Sequence, residues 1–266
     1  MNTAGMSEDV PGSLASAEMV EVEPGRLLLF TTWFDRSDPD RPLFDPDTEG
    51  ILHSRLLFCV SDDEGASWGK WQEISTPGLT GCASTGPVMK WSDGRIAFAF
   101  ESFKEFDDPA PARHGAWLLV SSDGGRSFES PWLVARDPED RVYYWDQRLC
   151  CRQEKGAFSG LFWTHDRSAQ SDLKVHLLHG SLDESGTGAK QQPAATAIPG
   201  QIAAPAVTDD GRLIAFVVDR GDPGTMSFWE SEDDGQSWPR EKKRIIHLHD
   251  GEITEDEIID NPKAHD

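Results

Sequence analysis

A short pattern recurs along this chain at near-constant spacing, and a repeat of that period restricts the fold to successive copies of one supersecondary unit. Ser61-Asp62-Asp63-Glu64-Gly65-Ala66-Ser67-Trp68, Ser121-Ser122-Asp123-Gly124-Gly125-Arg126-Ser127-Phe128 and Ser231-Glu232-Asp233-Asp234-Gly235-Gln236-Ser237-Trp238 each read Ser-x-Asp-x-Gly-x-Ser-aromatic. Ser181-Leu182-Asp183-Glu184-Ser185-Gly186-Thr187 is a worn copy that keeps the Ser, Asp, Gly and a hydroxyl but lacks the aromatic. The copies begin at 61, 121, 181 and 231, giving spacings of 60, 60 and 50 residues. The pattern has a physical task. Asp and Ser side chains bond nearby backbone N–H groups in a tight turn, Gly supplies the positive φ, and the aromatic turns back into a core as an apolar anchor.

These residues resemble the Asp-box, or BNR repeat, of the sialidase-like β-propellers, and the resemblance covers roughly residues 17 to 250. In that family the box is a hairpin on the face away from the active site, so the boxes are read as structural. The expected fold is all-β, a sialidase-like propeller of four-stranded antiparallel blades. Four blades are recognisable, at about 17–76, 86–136, 147–199 and 204–250, between a tail at 1–16 and an acidic tail at 251–266. Their strands are expected at 17–23, 26–33, 54–60 and 70–74; at 87–91, 95–103, 116–121 and 131–135; at 148–152, 157–164, 173–179 and 194–198; and at 205–208, 212–218, 226–230 and 244–248. Pro24-Gly25, Ser92-Asp93-Gly94, Glu154–Gly156 and Asp209-Asp210-Gly211 provide the first turn of each blade. A helix signal stands out only at 254–260 in the acidic tail. The resemblance implies six blades, which at this period would need roughly 330 to 360 residues. Four therefore point to an incomplete or open propeller, whose exposed sheet edges would allow a homo-oligomer.

The 266 residues suffice for one sizeable core. A net charge of −22 argues against nucleic acid and against anionic membrane surfaces, since little here could neutralise phosphates in bulk. It leaves an anionic small molecule open, because the local field of a pocket can oppose the global charge. Residues 1–20 show neither a basic start nor a continuous apolar run, and no segment reaches membrane-spanning length, so the expectation is a cytoplasmic protein. Cys59, Cys82, Cys150 and Cys151 lack zinc-type spacing and are expected to be reduced thiols, the adjacent pair on opposite faces of a sheet. No cofactor or metal is expected. His176 with His179, and His247 with His249, are more simply ordinary strand histidines than ligand pairs.

Propeller topology sorts the connections. With strands A to D running outward, the A–B turns and the boxes lie on one face, and the B–C loops and crossovers to the next blade on the other. These second-face segments carry more chemistry. The B strands end in Trp33-Phe34-Asp35-Arg36, Glu101-Ser102-Phe103-Lys104, Trp163-Thr164-His165-Asp166-Arg167 and Val218-Asp219-Arg220, so every one closes on a carboxylate. The crossover Val142-Tyr143-Tyr144-Trp145-Asp146-Gln147-Arg148 holds both tyrosines of the chain, and Gly200-Gln201-Ile202 leads into the fourth blade. Aromatic faces beside Asp, Gln and Arg are what a sugar site needs. An aromatic plug and solvated strand ends are the plain structural alternatives.

The strings Tyr144-Trp145-Asp146-Gln147-Arg148, Phe162-Trp163-Thr164-His165-Asp166 and Gly200-Gln201-Ile202 look like a bacterial branch of the sialidase-like group. Sialidases use an arginine triad for the substrate carboxylate, an Asp acid/base and a Tyr nucleophile activated by a Glu. The first blade lacks their arginine-centred opening motif, and the last arginine and the nucleophile would fall beyond residue 266. The resemblance implies a glycoside hydrolase with catalytic candidates Asp35, Glu101, Asp146, Asp166 and Tyr144. Asp35 is the favoured general acid, with Asp146 or Asp166 as its partner. Arg36, Arg148, Arg167, Arg220, Trp145, Gln147, Gln201, Asp219 and His165 are the candidate contacts to a carbohydrate or glycoside. The alternative is a non-catalytic carbohydrate-binding or scaffold propeller with its carboxylates already paired off.

Overall fold

The computed structural model describes residues 11–182, 192–220, 225–239, 242–249 and 252–260, of which Thr225 and residues 242–260 are described by their backbone alone. The architecture is all-β, in four antiparallel sheets. The first runs β1 (Gly12–Glu23), β2 (Arg26–Asp35), β3 (Ser54–Ser61) and β4 (Gln72–Glu73) in sequence order. In the second, β5 (Thr80–Ala83) and β6 (Val88–Lys90) both pair with β7 (Ile96–Phe103), followed by β8 (Gly115–Ser121) and β9 (Trp132–Ala135). The third contains β10 (Val142–Cys151), β11 (Ala157–Asp166), the short β12 (Ser171–Asp172) on β11, β13 (His176–Ser181) and β14 (Ala194–Ala195). The fourth runs β15 (Ile202–Val207), β16 (Leu213–Val218), β17 (Thr225–Ser231), β18 (Lys242–His249) and β19 (Glu252–Asp260). The described residues up to 140 form one compact unit, and those from 141 onward a second.

The strand expected at 87–91 is present as β6, and the unforeseen β5 precedes it along the same edge of β7; between them Pro87 has no N–H to give the ladder and Ser84 donates its N–H to Thr32 Oγ1 at 2.7 Å. Two expectations are corrected. The segment 142–147, expected as a crossover, is the first half of β10 and pairs with β11 from Val142↔Asp166 onward. The helix expected at 254–260 is strand β19, paired along β18. An open strand edge satisfies the backbone of this Ile- and Thr-containing segment better than an isolated helical turn would. Most of the worn repeat, from Asp183 on, lies outside the described residues.

In the first unit, Leu28, Phe30, Leu56, Phe58, Ile96, Phe98 and Phe100 form the centre of the core. Phe30 stacks on Phe98 at 4.5 Å and meets Phe128, the aromatic of the second repeat, edge-on at 5.9 Å. In the second unit Leu161, Val175, Leu177, Ala203, Ala215, Val217 and Trp229 pack together with Trp238, the aromatic of the third full repeat. Trp68 departs from the expected anchor: it is 36% exposed.

The three full repeats have the same internal bonding. Ser61 Oγ donates to Asp63 Oδ1 at 2.8 Å and accepts the Gly65 N–H at 2.8 Å, while Asp63 accepts the N–H and hydroxyl of Ser67 at 2.8 and 2.6 Å. The corresponding bonds recur around Ser121 and Asp123 and around Ser231 and Asp233. The residue before each glycine is also left-handed, with φ of 59° at Glu64, 70° at Gly124 and 58° at Asp234. Each turn therefore needs two successive positive-φ residues, and the Ser hydroxyl holds both ends of that strained stretch.

Two expectations follow. Ser121 is fully buried, so Ser121→Ala leaves the Gly125 N–H without its acceptor and should cost about 1–3 kcal/mol in urea unfolding, whereas Ser122→Ala should stay within about 0.5 kcal/mol. The hydrogen bonds of Ser237 and Ser231 hold the Asp233 carboxyl down at about 2, against an ordinary 3.8. Asp63 and Asp123 are depressed by the same serines of their own repeats. A depressed carboxyl stabilises the fold above its unfolded value and loses that contribution as pH falls through its folded value. Stability measured by chemical unfolding should thus fall between pH 3.8 and about 2. A flat profile across that interval would separate these turns from acid stability.

Candidate functional site

Strand β10 carries the densest chemistry. Its ladder with β11 sets Tyr143 opposite His165 and Trp145 opposite Trp163, and the register then slips so that Arg148 meets Leu161. Asp146 and Gln147 together face Phe162 across this β-bulge, and Asp146 is left-handed at φ 45°. In a regular strand Arg148 would point away from Tyr143 and Trp145, because side chains alternate. The extra residue reverses the alternation and puts Arg148 on the face of Trp145, Trp163 and His165. Asp is among the few side chains that take the left-handed position at modest cost.

The same device occurs in the first sheet. Ala15 pairs with Thr32 and Glu18 with Phe30, leaving Ser16, at φ 57°, and Ala17 opposite Thr31. Counted back from Asp35 and Asp166, the two bulges fall at identical positions on β2 and β11. The bulge thus belongs to the scaffold, and the residues mounted on it differ: Ser16, Ala17 and Glu18 in one sheet, Asp146, Gln147 and Arg148 in the other.

Around the second bulge the aromatic rings form a continuous row. Tyr143 lies 5.0 Å from Trp145, which stacks on His165 at 5.0 Å and 17° and meets Trp163 edge-on at 5.2 Å. Guanidinium groups flank the row, with Arg167 5.0 Å above Tyr143 and Arg220 4.7 Å above Trp163. Stacking on an aromatic face fixes the orientation of a guanidinium, whose planar N–H fork suits an anion or hydroxyl. Asp146 lies 4.0 Å from Arg148. Burial raises its carboxyl above the usual range, and Arg148 and Arg220 oppose that rise. Gln147 is fully buried.

Other sequence candidates are placed differently. Asp35 accepts the N–H and hydroxyl of Ser37 at 2.8 and 2.6 Å, and Asp166 accepts those of Ser168 at 2.8 and 2.7 Å. These matching Asp-Arg-Ser turns lower both carboxyls, chiefly through the serine hydroxyls, so each is held as an anion that closes a strand end. Arg36 is occupied locally by Ser13 Oγ and the Arg41 carbonyl. Glu101 is buried in the first unit and accepts the Thr85 hydroxyl at 2.6 Å. Tyr144 is buried on the opposite face of β10 from Trp145, against Phe162 and His176. Asp219 follows β16, half-buried beside Arg220. Asp172 was not singled out in the sequence. It stands in a short polar run with no repeat signature and reaches the row only because β12 folds back onto β11.

His176 and His179 occupy β13; the side chains of His247 and His249 lie outside the described residues. Among the described residues no three His, Cys, Asp or Glu side chains gather as a metal-holding group, and no helix is long and apolar enough to cross a membrane. Cys59, Cys82, Cys150 and Cys151 are free thiols; burial pushes Cys59, Cys82 and Cys150 up to about 11.

Several solved structures share this sheet arrangement. The chain is similar to a protein of unknown function from Dyadobacter fermentans, with a TM-score of 0.66 and 20% identity over 86% of this chain and 68% of that one. It is also similar to a Hadza microbial sialidase, with a TM-score of 0.60 and 14% identity over 90% of this chain and 47% of that one. The fold is a sialidase-like β-propeller. A family 117 glycoside hydrolase from Zobellia galactanivorans is a further propeller neighbour, with a TM-score of 0.56 and 12% identity over 87% of this chain and 69% of that one. This propeller chain spans less than half the length of the sialidase and about two thirds of the other two. No family model and no curated protein matches it by sequence.

The site makes a direct electrostatic expectation. By carboxyl-carbon NMR, Asp146 should titrate above 3.8. Its midpoint should rise further in Arg220→Ala, where a cation favouring the ionised form is gone. Because this carboxyl is raised on folding, its ionisation opposes the fold. Asp146→Asn should therefore gain stability over wild type as pH rises through that midpoint. An unmoved midpoint in Arg220→Ala would detach Arg220 from Asp146.

Proposed function

We propose that this propeller acts on a glycan or glycoside at the bulge of β10, as a glycoside hydrolase. Asp146 supplies the proton. Arg148 and Arg220 hold the substrate, and Trp145 and Trp163 provide apolar ring surface beside it. The observation that carries this reading is the setting of Asp146: half-buried, its carboxyl raised by burial, and placed by a scaffold bulge on a row of aromatic rings with Arg148 at 4.0 Å. A general acid must hold a proton that a leaving-group oxygen can take, and desolvation shifts a carboxyl in that direction. Asp35 and Asp166 are poorly suited, since hydrogen bonds stabilise their ionised forms. The sialidase and glycoside hydrolase names of the fold neighbours agree with a carbohydrate partner in general.

A specific observation favours a second reading, a carbohydrate-binding propeller without turnover. Two candidate partner carboxylates for Asp146 are engaged: Asp166 by Ser168, and Asp172 by His165 and Gln201. Turnover of a panel of chromogenic glycosides, sialosides included, combined with calorimetric titration of the same sugars, decides between the two. Hydrolysis is expected to fall about 10²- to 10⁴-fold in Asp146→Asn with binding retained. Saturable binding without turnover, lost in Arg220→Ala or Trp145→Ala, would establish the binding propeller. Neither turnover nor binding from folded protein would end both readings.

A further inference from the structure

We infer that Asp172 is a positioning residue that fixes the proton of His165 on Nδ1, so that the ring presents bare Nε2 as a hydrogen-bond acceptor beside the aromatic row. This deepens the proposed function and rests on it for the identity of the ligand: the group received at Nε2 is a donor such as a sugar hydroxyl, not a carbonyl or carboxylate.

Three contacts hold Asp172 in place, two of them at its carboxylate. Its backbone pairs with that of His165 on β11, which sets the two side chains on one face of the sheet. Oδ1 lies 2.9 Å from His165 Nδ1, and Oδ2 accepts a hydrogen bond from Gln201 Nε2 at 3.1 Å. An ionised carboxylate is acceptor-only, so the nitrogen facing it must carry the proton and the neutral ring has Nε2 left as its acceptor. Burial works against the Asp172 charge, yet hydrogen bonding, from His165 foremost and from Gln201, brings the carboxyl below its usual range, which keeps the acceptor role in force. The orientation of Gln201 is equally determined. Its Oε1 accepts the Arg220 N–H at 2.8 Å while its Nε2 faces Asp172, and a flipped amide would set like against like at both ends.

One side chain on the two-residue strand β12 therefore sets two features of the row. Through His165 it sets the polarity of the ring that stacks on Trp145. Through Gln201 it ties down the backbone from which Arg220 reaches over Trp163. Outer partners of this kind orient functional imidazoles at metal and catalytic sites alike.

Long-range proton–nitrogen NMR on protein labelled with ¹⁵N-histidine, at a pH where the imidazole is neutral, reads the tautomer without reference to any activity. In the wild type His165 is expected to show protonated Nδ1 and bare Nε2. In Asp172→Ala that tautomer should be lost in favour of Nε2–H or a mixture, with shifts at the Arg220 amide and the Trp145 indole. Gln201→Ala keeps the His165–Asp172 bond, so it should move the Arg220 amide and leave the tautomer as it was. It also serves if Asp172→Ala does not fold. A wild-type His165 protonated on Nε2 would overturn the inference, as would an Asp172→Ala variant with an unchanged tautomer. Titrating the labelled wild type with 3′-sialyllactose and with lactose separates the two readings. Binding that leaves the Nε2 signal unmoved counts against the acceptor role. An absence of binding falls on the proposed function and not on the positioning by Asp172.

Discussion

A serine hydroxyl that bonds in two directions is the interaction on which the rest of this structure depends. In each full repeat it donates to the Asp two residues on and accepts the glycine N–H four residues on. The intervening chain passes through two left-handed residues, a conformation that unaided backbone seldom sustains. With the hydroxyl in place the third strand of the sheet turns sharply, and the aromatic that follows is delivered in a set direction. Phe128 reaches Phe30 and Phe58 in this way, and Trp238 joins the core of the second unit, bonded through its indole N–H to the Gly235 carbonyl. The turn thus couples a local hydrogen-bond pattern to the packing between sheets. That packing is non-directional and would not by itself select one register.

The bulge near the start of the first and third sheets is the second constraint, and it separates scaffold from chemistry. It recurs at the same distance from the Asp-Arg-Ser turn in both. In one it holds a serine whose hydroxyl donates to the Ser84 carbonyl; in the other, an aspartate that burial inclines to keep its proton. A repeated irregularity of backbone offers a position that evolution can equip without rebuilding the sheet, since the left-handed site tolerates Ser, Asn, Asp or Gly. The electrostatics at Asp146 are finely opposed: desolvation favours the neutral acid, and Arg148 and Arg220 favour the anion. On a chain of net charge −22, two arginines beside one half-buried carboxyl supply the opposing charge that the chain as a whole lacks.

Much of the fold was legible from spacing and turn chemistry. The repeats, the glycine turns at Gly25, Gly94, Gly156 and Gly211, and the long apolar B strands are local signals, and each corresponds to an element of the sheets. The errors came where pairing outweighed local preference. The acidic segment 252–260 lay outside the repeat pattern, yet it pairs as a strand because β18 offers an open edge. Residues 142–147, taken for a connection, are held in the ladder by β11. Trp68 follows its turn in sequence like Trp238 and is nonetheless 36% exposed, because burial depends on what lies opposite.

The candidate site divides in the same way. The sequence by itself determined the repeat, the all-β class and the pool of chemically suitable residues, because turn geometry and hydrophobic runs are written in consecutive residues. Only the tertiary structure decided which members of that pool meet. It set Asp35 and Asp166 to closing turns with Ser37 and Ser168. It put Tyr144 on the opposite face from Trp145, brought Arg148 to the face of the row, and delivered Asp172 to His165. The physical reason is that the period-2 alternation of a strand predicts which face a side chain takes only while the ladder is regular. One inserted residue reverses that order, and nothing in the sequence marks an Asp-Gln pair as the place where it happens.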